Sequence, residues 1–564
     1  MKKVVILGAG LATRLYPITH HIPKVLVNYK QDTILKNLYR IYGDLGAEEI
    51  IVVVHSKYTD MVSAYAKQEN LDITIRNVDE SFGSAYALAT LNDDLEGHNV
   101  LLNWCDIIPE FNRFQWNQNE IMTFGNQCRY NYKDSIGISN VGRTGGNIVG
   151  IYQFKDWEFY MGDSPEEIHE NCHGQDFVEY IPAQFFRQNQ LRGLTDLGDM
   201  PKLEQAHSNR EFNRSFNSVE ILKDTVKKYA LTTQAENLQT DEVNWYYKVE
   251  SDSIPQIIAH KDNWFEMERI KGVPMFEHLK KLPHKEQKDV IRDIICELSN
   301  LSNNELHVGN DVIRRDYKKE FYTKVLGRCE IIQELINSFG EIKYVNGLKI
   351  GRLKTMLMQA SEHLINYHEY IQGDYYSIIH GDPNFSNTMM SEDNQIKFID
   401  PRGYFGGTKL FGPRLYDEAK VLYAASGYDE FNSDPTWGGL EIKGDSAIVT
   451  IKPLVDKFDK MFDFTDCHLL ANAIIWIALG GYFKNNPLKA VSAYYYGMYL
   501  LTKQLNKMGR LLKDGSISRD VAEPITATLI TKNPGKWVLK DLETGVSYRP
   551  VGGRNTEQWE AIEP

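Results

Sequence analysis

Ser377-Ile-Ile-His-Gly-Asp-Pro-Asn-Phe-Ser-Asn-Thr388, with Ile396-Lys-Phe-Ile-Asp-Pro-Arg-Gly403 close behind, reads as apolar strands around a polar loop. The apolar pair Ile378 and Ile379 runs into His380-Gly381-Asp382, and Asn387 stands five residues beyond that carboxylate. A short strand from Thr388 to Met390, a polar turn at Ser391-Glu-Asp-Asn394 and a second strand then deliver Asp400. Phosphoryl transfer requires a carboxylate to orient the attacking hydroxyl and oxygen ligands to hold Mg²⁺ on the ATP phosphates. Asp382 suits the first role, Asn387 and Asp400 the second, because a hairpin folds Asp400 back beside Asn387. Taken singly, each has a plainer reading: Asp before Pro is a turn residue, and Asn in a polar loop is solvated.

As an ordered set, these residues resemble the catalytic loop and metal-binding segment of the choline kinase and aminoglycoside phosphotransferase family. Protein kinases carry Arg where Gly381 stands and Phe-Gly after the metal Asp. Here Pro401-Arg402 follow Asp400, which favours a small-molecule acceptor. The resemblance implies a two-lobed, protein-kinase-like α+β domain over 212–515, with an N-lobe at about 212–272 and a helical C-lobe at about 273–515. Val219 to Leu222 and Thr225 to Tyr229 read as a hairpin around Lys223-Asp224. Kinase-like folds place a Lys on this strand to hold the phosphates, paired to a Glu on the next helix. Lys228, with Lys227 as the alternative, and Glu242 take these places, while Ser215 to Ser218 stand in for a Gly-rich loop. Trp264 to Gly272 looks like the strand and hinge carrying the adenine contacts, near Glu268 and Ile270. Tyr416-Asp-Glu-Ala-Lys420 resembles the helix start that braces the loop, and about 431–464 reads as an insertion with a small hairpin. The later helical region is rich in aromatics, including Trp476, Tyr482, Phe483 and Tyr494 to Tyr499. Such rings can box a quaternary ammonium, but at helical spacing core packing is the favoured reading.

The N-terminus has a different period. Lys3-Val-Val-Ile-Leu-Gly8 reads as a parallel strand buried on both faces, and it runs into Gly8-Ala-Gly-Leu-Ala-Thr-Arg-Leu-Tyr-Pro17. A strand ending in a Gly-rich turn brings backbone N–H groups against phosphate. A dinucleotide fold would want Gly where Thr13 stands; Arg14 and Lys24 follow instead, two cations suited to a triphosphate and a departing pyrophosphate. The combination of Gly8, Gly10, Thr13, Arg14 and Pro23-Lys24 resembles the signature of the nucleotidyltransferase (pyrophosphorylase) family, whose members act on sugar phosphates or phosphocholine. It departs by one extra residue at Leu11-Ala12. By the same resemblance, Gly83 and Ser84 approach the nucleotide base. Asp106, preceded by Trp104-Cys105 rather than Gly, is one Mg²⁺ ligand. Asp196, in Thr195-Asp-Leu-Gly-Asp-Met-Pro201, is the other. The implied chemistry is in-line attack of a substrate phosphate on the α-phosphorus of a nucleoside triphosphate, achieved by positioning and charge neutralisation.

Composition sets the outer bounds. At 564 residues the chain exceeds one core. The expected division is a Rossmann-like α/β domain with a mixed, mainly parallel sheet over 1–207, the kinase-like domain over 212–515, and an extension over 516–564. The polar Gln205 to Glu211 connector, without Pro or Gly, implies halves packed together. A net charge of −13 without a basic run argues against nucleic acid or an anionic membrane as partner. The six scattered cysteines suggest neither zinc nor a disulfide framework. No signal peptide or membrane span is read, so a cytoplasmic location is expected. Together the resemblances imply a bifunctional enzyme with small-molecule substrates, using Mg²⁺ in both domains. ATP would phosphorylate a small alcohol such as choline, ethanolamine or glycerol; CTP would then yield a CDP-activated precursor for surface polysaccharide. Two alternatives stay open: a sugar kinase with a sugar-1-phosphate nucleotidyltransferase, and one active domain with the other serving as a binding module. The acceptor, the nucleotide base, the oligomeric state (monomer or homo-oligomer), channelling and the role of the tail are not read from the sequence.

Overall fold

The structure, a computed structural model, describes residues 1–79, 82–125, 130–133, 137–140, 146–159, 161–162, 164–208, 217–301, 304–461 and 463–509, with four further strands between 527 and 562. In the N-terminal part, β1 (Lys2–Gly8), β2 (Glu49–His55), β3 (Thr74–Val78) and β4 (Asn99–Trp104) pair in parallel in the order β4-β1-β2-β3. Val4, Val5 and Ile6 are fully buried, which explains the unbroken apolar run: both faces of the strand are covered. One cover is α1 (Ile34–Asp44), whose first turn is capped by the Thr33 side chain and whose Leu35, Leu38 and Tyr42 face the sheet. Tyr42 also donates to Asn103 Oδ1 at 2.8 Å. Also in this part are α2 (Thr59–Glu69) and α3 (Ser84–Ala89).

Past β4 the sheet becomes mixed. After β5 (Ile107–Glu110) and β6 (Glu120–Thr123), the long β7 (Gly146–Phe154) runs antiparallel to both β4 and β6. β8 (Arg187–Gln190) pairs in parallel with β6. β9 (Gly193–Asp196) pairs antiparallel with β5, in a register that sets Asp196 opposite Ile107 and so beside Asp106. The segment closes with α4 (Met200–Ser208).

The second part begins with a four-stranded antiparallel sheet. It comprises β10 (Asn217–Ile221), β11 (Thr225–Ala230), β12 (Ile257–Lys261) and β13 (Trp264–Glu268), in the order β10-β11-β13-β12, with α5 (Thr233–Lys248) between β11 and β12. β14 (Gly272–Pro274) leads out of this sheet to pair with β15 (Thr388–Ser391), which forms the expected hairpin with β16 (Ile396–Phe398). Most of what lies between is helical: α6 (His284–Asn300), α7 (Asn310–Lys318), α8 (Lys324–Ile331), α9 (Gln333–Ser338) and α10 (Leu353–Ile371). A π-helical turn, Lys319–Thr323, joins α7 to α8. Then come α11 (Arg414–Ala425), α12 (Tyr428–Ser433), the hairpin β17 (Leu440–Lys443) and β18 (Ser446–Val449), and the packed pair α13 (Asp466–Tyr482) and α14 (Pro487–Lys507).

The aromatic-rich helices are core. Trp476 is fully buried against Tyr423, Phe431 and Tyr496, with its indole N–H donating to Ser426 Oγ at 2.9 Å. Tyr482 lies exposed. The ammonium found against Phe431 and Phe483, at 5.5 and 5.7 Å from the ring centres, is that of the chain's own Lys489. The tail, in which the sequence shows no clear period, contains an antiparallel meander: β19 (Ala527–Asn533), β20 (Lys536–Asp541), β21 (Ser547–Pro550) and β22 (Trp559–Ile562).

The two parts share one interior. A single buried apolar cluster runs from Val4 and Ile6 through Leu203 to Ile336, Trp476 and Leu505. α2 packs on α9, with Lys67 paired to Glu334. The α13–α14 turn reaches back: Lys484 pairs with Glu69 at 2.9 Å, its carbonyl accepts from Gln68, and the Asn485 carbonyl accepts from Asn28. Near β17, Gly438 lies so close to Pro17 that an added Cβ would meet its Cγ at 2.4 Å, and His21 Nε2 accepts the Ile442 N–H at 3.1 Å. No helix among the described residues is long and apolar enough to cross a membrane.

Candidate functional site

Two clusters of charged groups stand out, one in each part. The first is built at the C-terminal ends of β1 and β4. From Gly8 the chain turns through Gly10 and a left-handed Ala12 (φ 52°) into a 3₁₀ turn over Thr13–Leu15, held by the Thr19 hydroxyl donating to the Ala12 carbonyl at 2.8 Å. Lys24 is buried, and its Nζ sits 2.5 Å from Asp106 Oδ2, just past the end of β4. Asp196 accepts the Gly198 N–H at Oδ1 (2.8 Å) and pairs through Oδ2 with Lys202 at 2.6 Å. That hydrogen bond holds the Lys202 ammonium above its usual range. A Cβ on Gly198 would meet Asp196 Oδ1 at 2.8 Å, Asp106 Oδ2 at 3.2 Å and Arg14 Nη2 at 3.9 Å. Both carboxylates and the guanidinium therefore converge where a side chain would stand.

Gly8, Gly10, Thr13, Arg14, Lys24, Gly83, Ser84 and Asp106 line one cleft of about 340 Å³. It shares Arg14, Trp104, Asp106 and Asp176 with a second chamber of about 420 Å³ that adds Tyr152, Asp196 and Lys202. The Trp104 and Tyr152 rings are 5.3 Å apart. Gly83, at φ 103°, starts α3, and the Ser84 hydroxyl accepts the Phe177 N–H at 2.8 Å. Burial pushes the Cys105 thiol up to about 12, which makes it unreactive. Sequence reasoning missed Lys202, Tyr152 and Asp176, and took Trp104 only as a departure from pattern. Two facing carboxylates are hard oxygen donors suited to Mg²⁺ completed by substrate and water oxygens. They fit that ion only in such company, because among the described residues no group of three or more His, Cys, Asp or Glu could hold a metal.

The second cluster lies between the four-stranded sheet and the helices. Lys228 on β11 points inward, its Nζ 2.7 Å from Glu242 Oε2 on α5 and 2.9 Å from Asp400 Oδ1. Burial alone would depress this ammonium, but the Asp400 and Glu242 carboxylates hold it well above its usual range. Lys227 faces the other way, toward Glu266 at 3.6 Å and the Trp264 ring. Glu268 is exposed at the end of β13, and Ile270 is half-buried between β13 and β14. Of Ser215 to Ser218, the first two lie outside the described residues.

Asp400 follows β16 at φ 56°, its N–H donating to the Tyr246 hydroxyl at 3.1 Å. Asn387 is buried and donates to the Asp382 carbonyl at 3.0 Å. Asp382 Oδ1 pairs with Lys420 at 2.8 Å; burial would raise this carboxyl, yet Lys420 holds it below the usual carboxylate range. His380 is buried and neutral, its pKa pushed down to about 4 by desolvation. Its Nδ1 accepts the Asp382 N–H at 3.2 Å, so Nε2 carries the proton toward the Ile399 carbonyl at 3.0 Å.

Asp417, in the Tyr416 to Lys420 stretch read as a brace, supports this loop, and so do groups that no motif marks. Asp417 accepts the N–H groups of His380 (2.8 Å) and Gly381 (2.7 Å), and Asp429 those of Ser386 (2.8 Å) and Phe385 (3.2 Å). Burial raises their carboxyls to about 7 and about 6 respectively. Arg402 is clamped bidentately by Glu320 at 2.8 and 2.9 Å, contacts the Tyr416 hydroxyl and stacks 3.9 Å over Tyr404. Glu320 lies on the π-helical turn and also pairs with Lys324 at 2.6 Å. Burial and the neighbouring Arg402 push the Lys324 ammonium down to about 7.

Residues 3–112 match the family model described as nucleotidyl transferase, so this part of the chain carries a nucleotidyl transferase domain. The chain is 34% identical over 101 residues to the UTP–glucose-1-phosphate uridylyltransferase of Haloferax volcanii. It is 32% identical over 115 residues to a mannose-1-phosphate guanyltransferase of Schizosaccharomyces pombe. These alignments take in 18% and 19% of this chain and 42% and 31% of those proteins, so the chain spans less than half the length of these curated relatives. Among solved structures, the CTP:phosphocholine cytidylyltransferase of Streptococcus pneumoniae overlaps 36% of this chain and 97% of its own, at TM-score 0.30 and 17% identity.

Proposed function

We propose, with a nucleotidyl transferase domain at the N-terminus as the premise, that the chain is bifunctional. In this reading the second part phosphorylates a small alcohol with ATP, and the first part joins the product to a nucleotide. The observation that carries the first activity is the convergence of Lys24, Arg14, Asp106, Asp196 and Lys202 on one two-chambered cleft. A phosphate oxygen of the acceptor attacks the α-phosphorus, the bond to the bridging oxygen of the β-phosphate breaks, and pyrophosphate leaves. The nucleophile is already ionised, so no general base is needed. Mg²⁺ on Asp106 and Asp196 would supply charge neutralisation. Lys24 and Arg14 balance the triphosphate, and Lys202 is placed to receive the acceptor phosphate.

The kinase reading is supported by the Lys228–Glu242–Asp400 cluster and by Asp382 beside Asn387. Asp382, kept ionised by Lys420, would accept a hydrogen bond from the acceptor hydroxyl, and Lys228 would meet the ATP phosphates. For the acceptor, the Trp104–Tyr152 pair with Asp176 in the second chamber favours a phosphate ester bearing a cation, as a phosphorylated amino alcohol does. CTP is then the nucleotide, and the CDP-alcohol would serve surface polysaccharide decoration. The second reading, a sugar-1-phosphate with another nucleotide, is favoured by the two curated relatives, whose names specify sugar phosphates.

The test is a ³¹P NMR spectrum of the protein with Mg²⁺, ATP and CTP or UTP. The acceptor pool is choline, ethanolamine, glycerol and simple sugars. Diphosphate-diester peaks beside pyrophosphate are expected with CTP. Asp382→Ala should abolish the phosphomonoester, and Asp106→Ala the diester only, each by roughly 10³-fold or more. A variant pair that spared both half-reactions would overturn the site assignment.

A further inference from the structure

A third cavity, of about 700 Å³, lies in the second part and contains none of the residues assigned above. It is lined by Tyr494, Tyr495 and Met498 of α14 and by Met356 of α10. Lys343, Lys349 and Arg352 also line it, with Glu341 as the single carboxylate, paired to Lys343 at 3.5 Å. Small-molecule sites are typically apolar hollows of this size with a few convergent polar groups.

The start of α10 opens into this cavity. Arg352 precedes the helix, no side chain caps it, and Leu353, Thr355 and Met356 of its first turn all line the hollow. An uncapped helix N-terminus presents N–H donors and partial positive charge to an anion. A second observation comes from the opposite wall. Tyr495 is only 3% exposed and Tyr494 9%, and among the described residues neither phenol has a hydrogen-bond partner. Both residues line the hollow, so their unmatched hydroxyls are available to a polar ligand. Among the described residues, neither Lys349 nor Arg352 makes an ion pair.

We propose that this cavity is a binding site for a mononucleotide, distinct from both proposed catalytic centres. The phosphate lies at the α10 N-terminus between Arg352 and Lys349, and the base lies toward α14 with the Tyr494 and Tyr495 hydroxyls as its polar partners. The ligand acts as an effector, because no carboxylate or cation assigned to catalysis lines the hollow. Its position suits that role: Ile336 and Asn337, on its wall, belong to α9, the helix that packs on α2 of the nucleotidyl transferase part.

The experiment is hydrogen exchange read by mass spectrometry on the full-length protein with CDP, comparing wild type, Arg352→Glu and Tyr495→Phe. In wild type, CDP should slow exchange across 353–356 and 494–498. Arg352→Glu should weaken that protection about tenfold in CDP concentration, and Tyr495→Phe should weaken it measurably. In both variants, protection around Gly8 and Gly83 should persist. Absence of protection at 353–356 in wild type at millimolar CDP would overturn the proposal. So would protection there that survives Arg352→Glu unchanged.

Discussion

Lys420 holds Asp382 in its ionised form, and removing it should show in the pH dependence of the proposed alcohol phosphorylation. Without the ammonium at 2.8 Å, the Asp382 carboxyl loses its main stabilising partner and its pKa rises. Lys420→Met should therefore move the acidic limb of the proposed kinase's pH profile upward, with the nucleotidyl transfer profile unchanged. His380 gives a stability test. It protonates near 4 in the fold but near 6.5 when unfolded. As pH falls through that window the unfolded chain takes the proton first, so stability present above 6.5 is lost toward 4, by about 3 kcal/mol. Asp417 and Asp429, with raised carboxyls, pull the other way, because their protonated forms favour the fold as pH falls. The readout is therefore a difference: between pH 7.5 and 4.5, His380→Asn should lose less urea stability than wild type. At this scale the sequence marks Asp382, Asn387 and Asp400 by their order around one hairpin, and Lys24 and Asp106 through the resemblance of their segments to a family signature. Asp176 and Glu320 were not legible, because they arrive from distant segments with no spacing to mark them, and Lys202, although it directly follows the quoted Thr195 to Pro201 stretch, reads as an ordinary surface lysine.

Among the elements, α11 does two jobs with one turn. Asp417, in its first turn, holds the loop amides of His380 and Gly381, and Lys420, three residues on, holds Asp382. Asp417→Asn keeps one acceptor oxygen but sets an NH₂ against an amide donor. It should cost about 1–3 kcal/mol, seen as a lower urea midpoint, and lower kcat for the proposed phosphorylation. The Tyr416 to Lys420 segment was recognisable as a brace because both side chains lie on one short stretch. The π-helical turn that aims Glu320 at Arg402 was not, since a single extra residue in a helix leaves little mark on apolar periodicity. The meander after Ala527 was missed for another reason: its strands are short and interrupted by Gly, Pro and charged residues, which hide the two-residue alternation.

For the whole molecule, the shared apolar cluster makes the two parts one cooperative unit. Calorimetry of the full chain should show a single unfolding transition. Gly438→Val, which forces a side chain into Pro17, should split this transition or lower it, by roughly 1 °C per kcal/mol lost in a unit of this size. The polar connector without Gly or Pro implied contact between the parts. It could not say where, because Asn28, Gln68, Lys484 and Gly438 are ordinary surface types. That interface also has a consequence in time. The ribosome delivers Asn28 and Gln68 early, but their partners Lys484 and Asn485 emerge more than 400 residues later. At about 5–20 residues per second, the α2 face waits for tens of seconds, roughly, with its cover still unmade. The nascent N-terminal part must stay soluble through that interval, so its expression alone should depend on chaperones in a way that the finished protein does not.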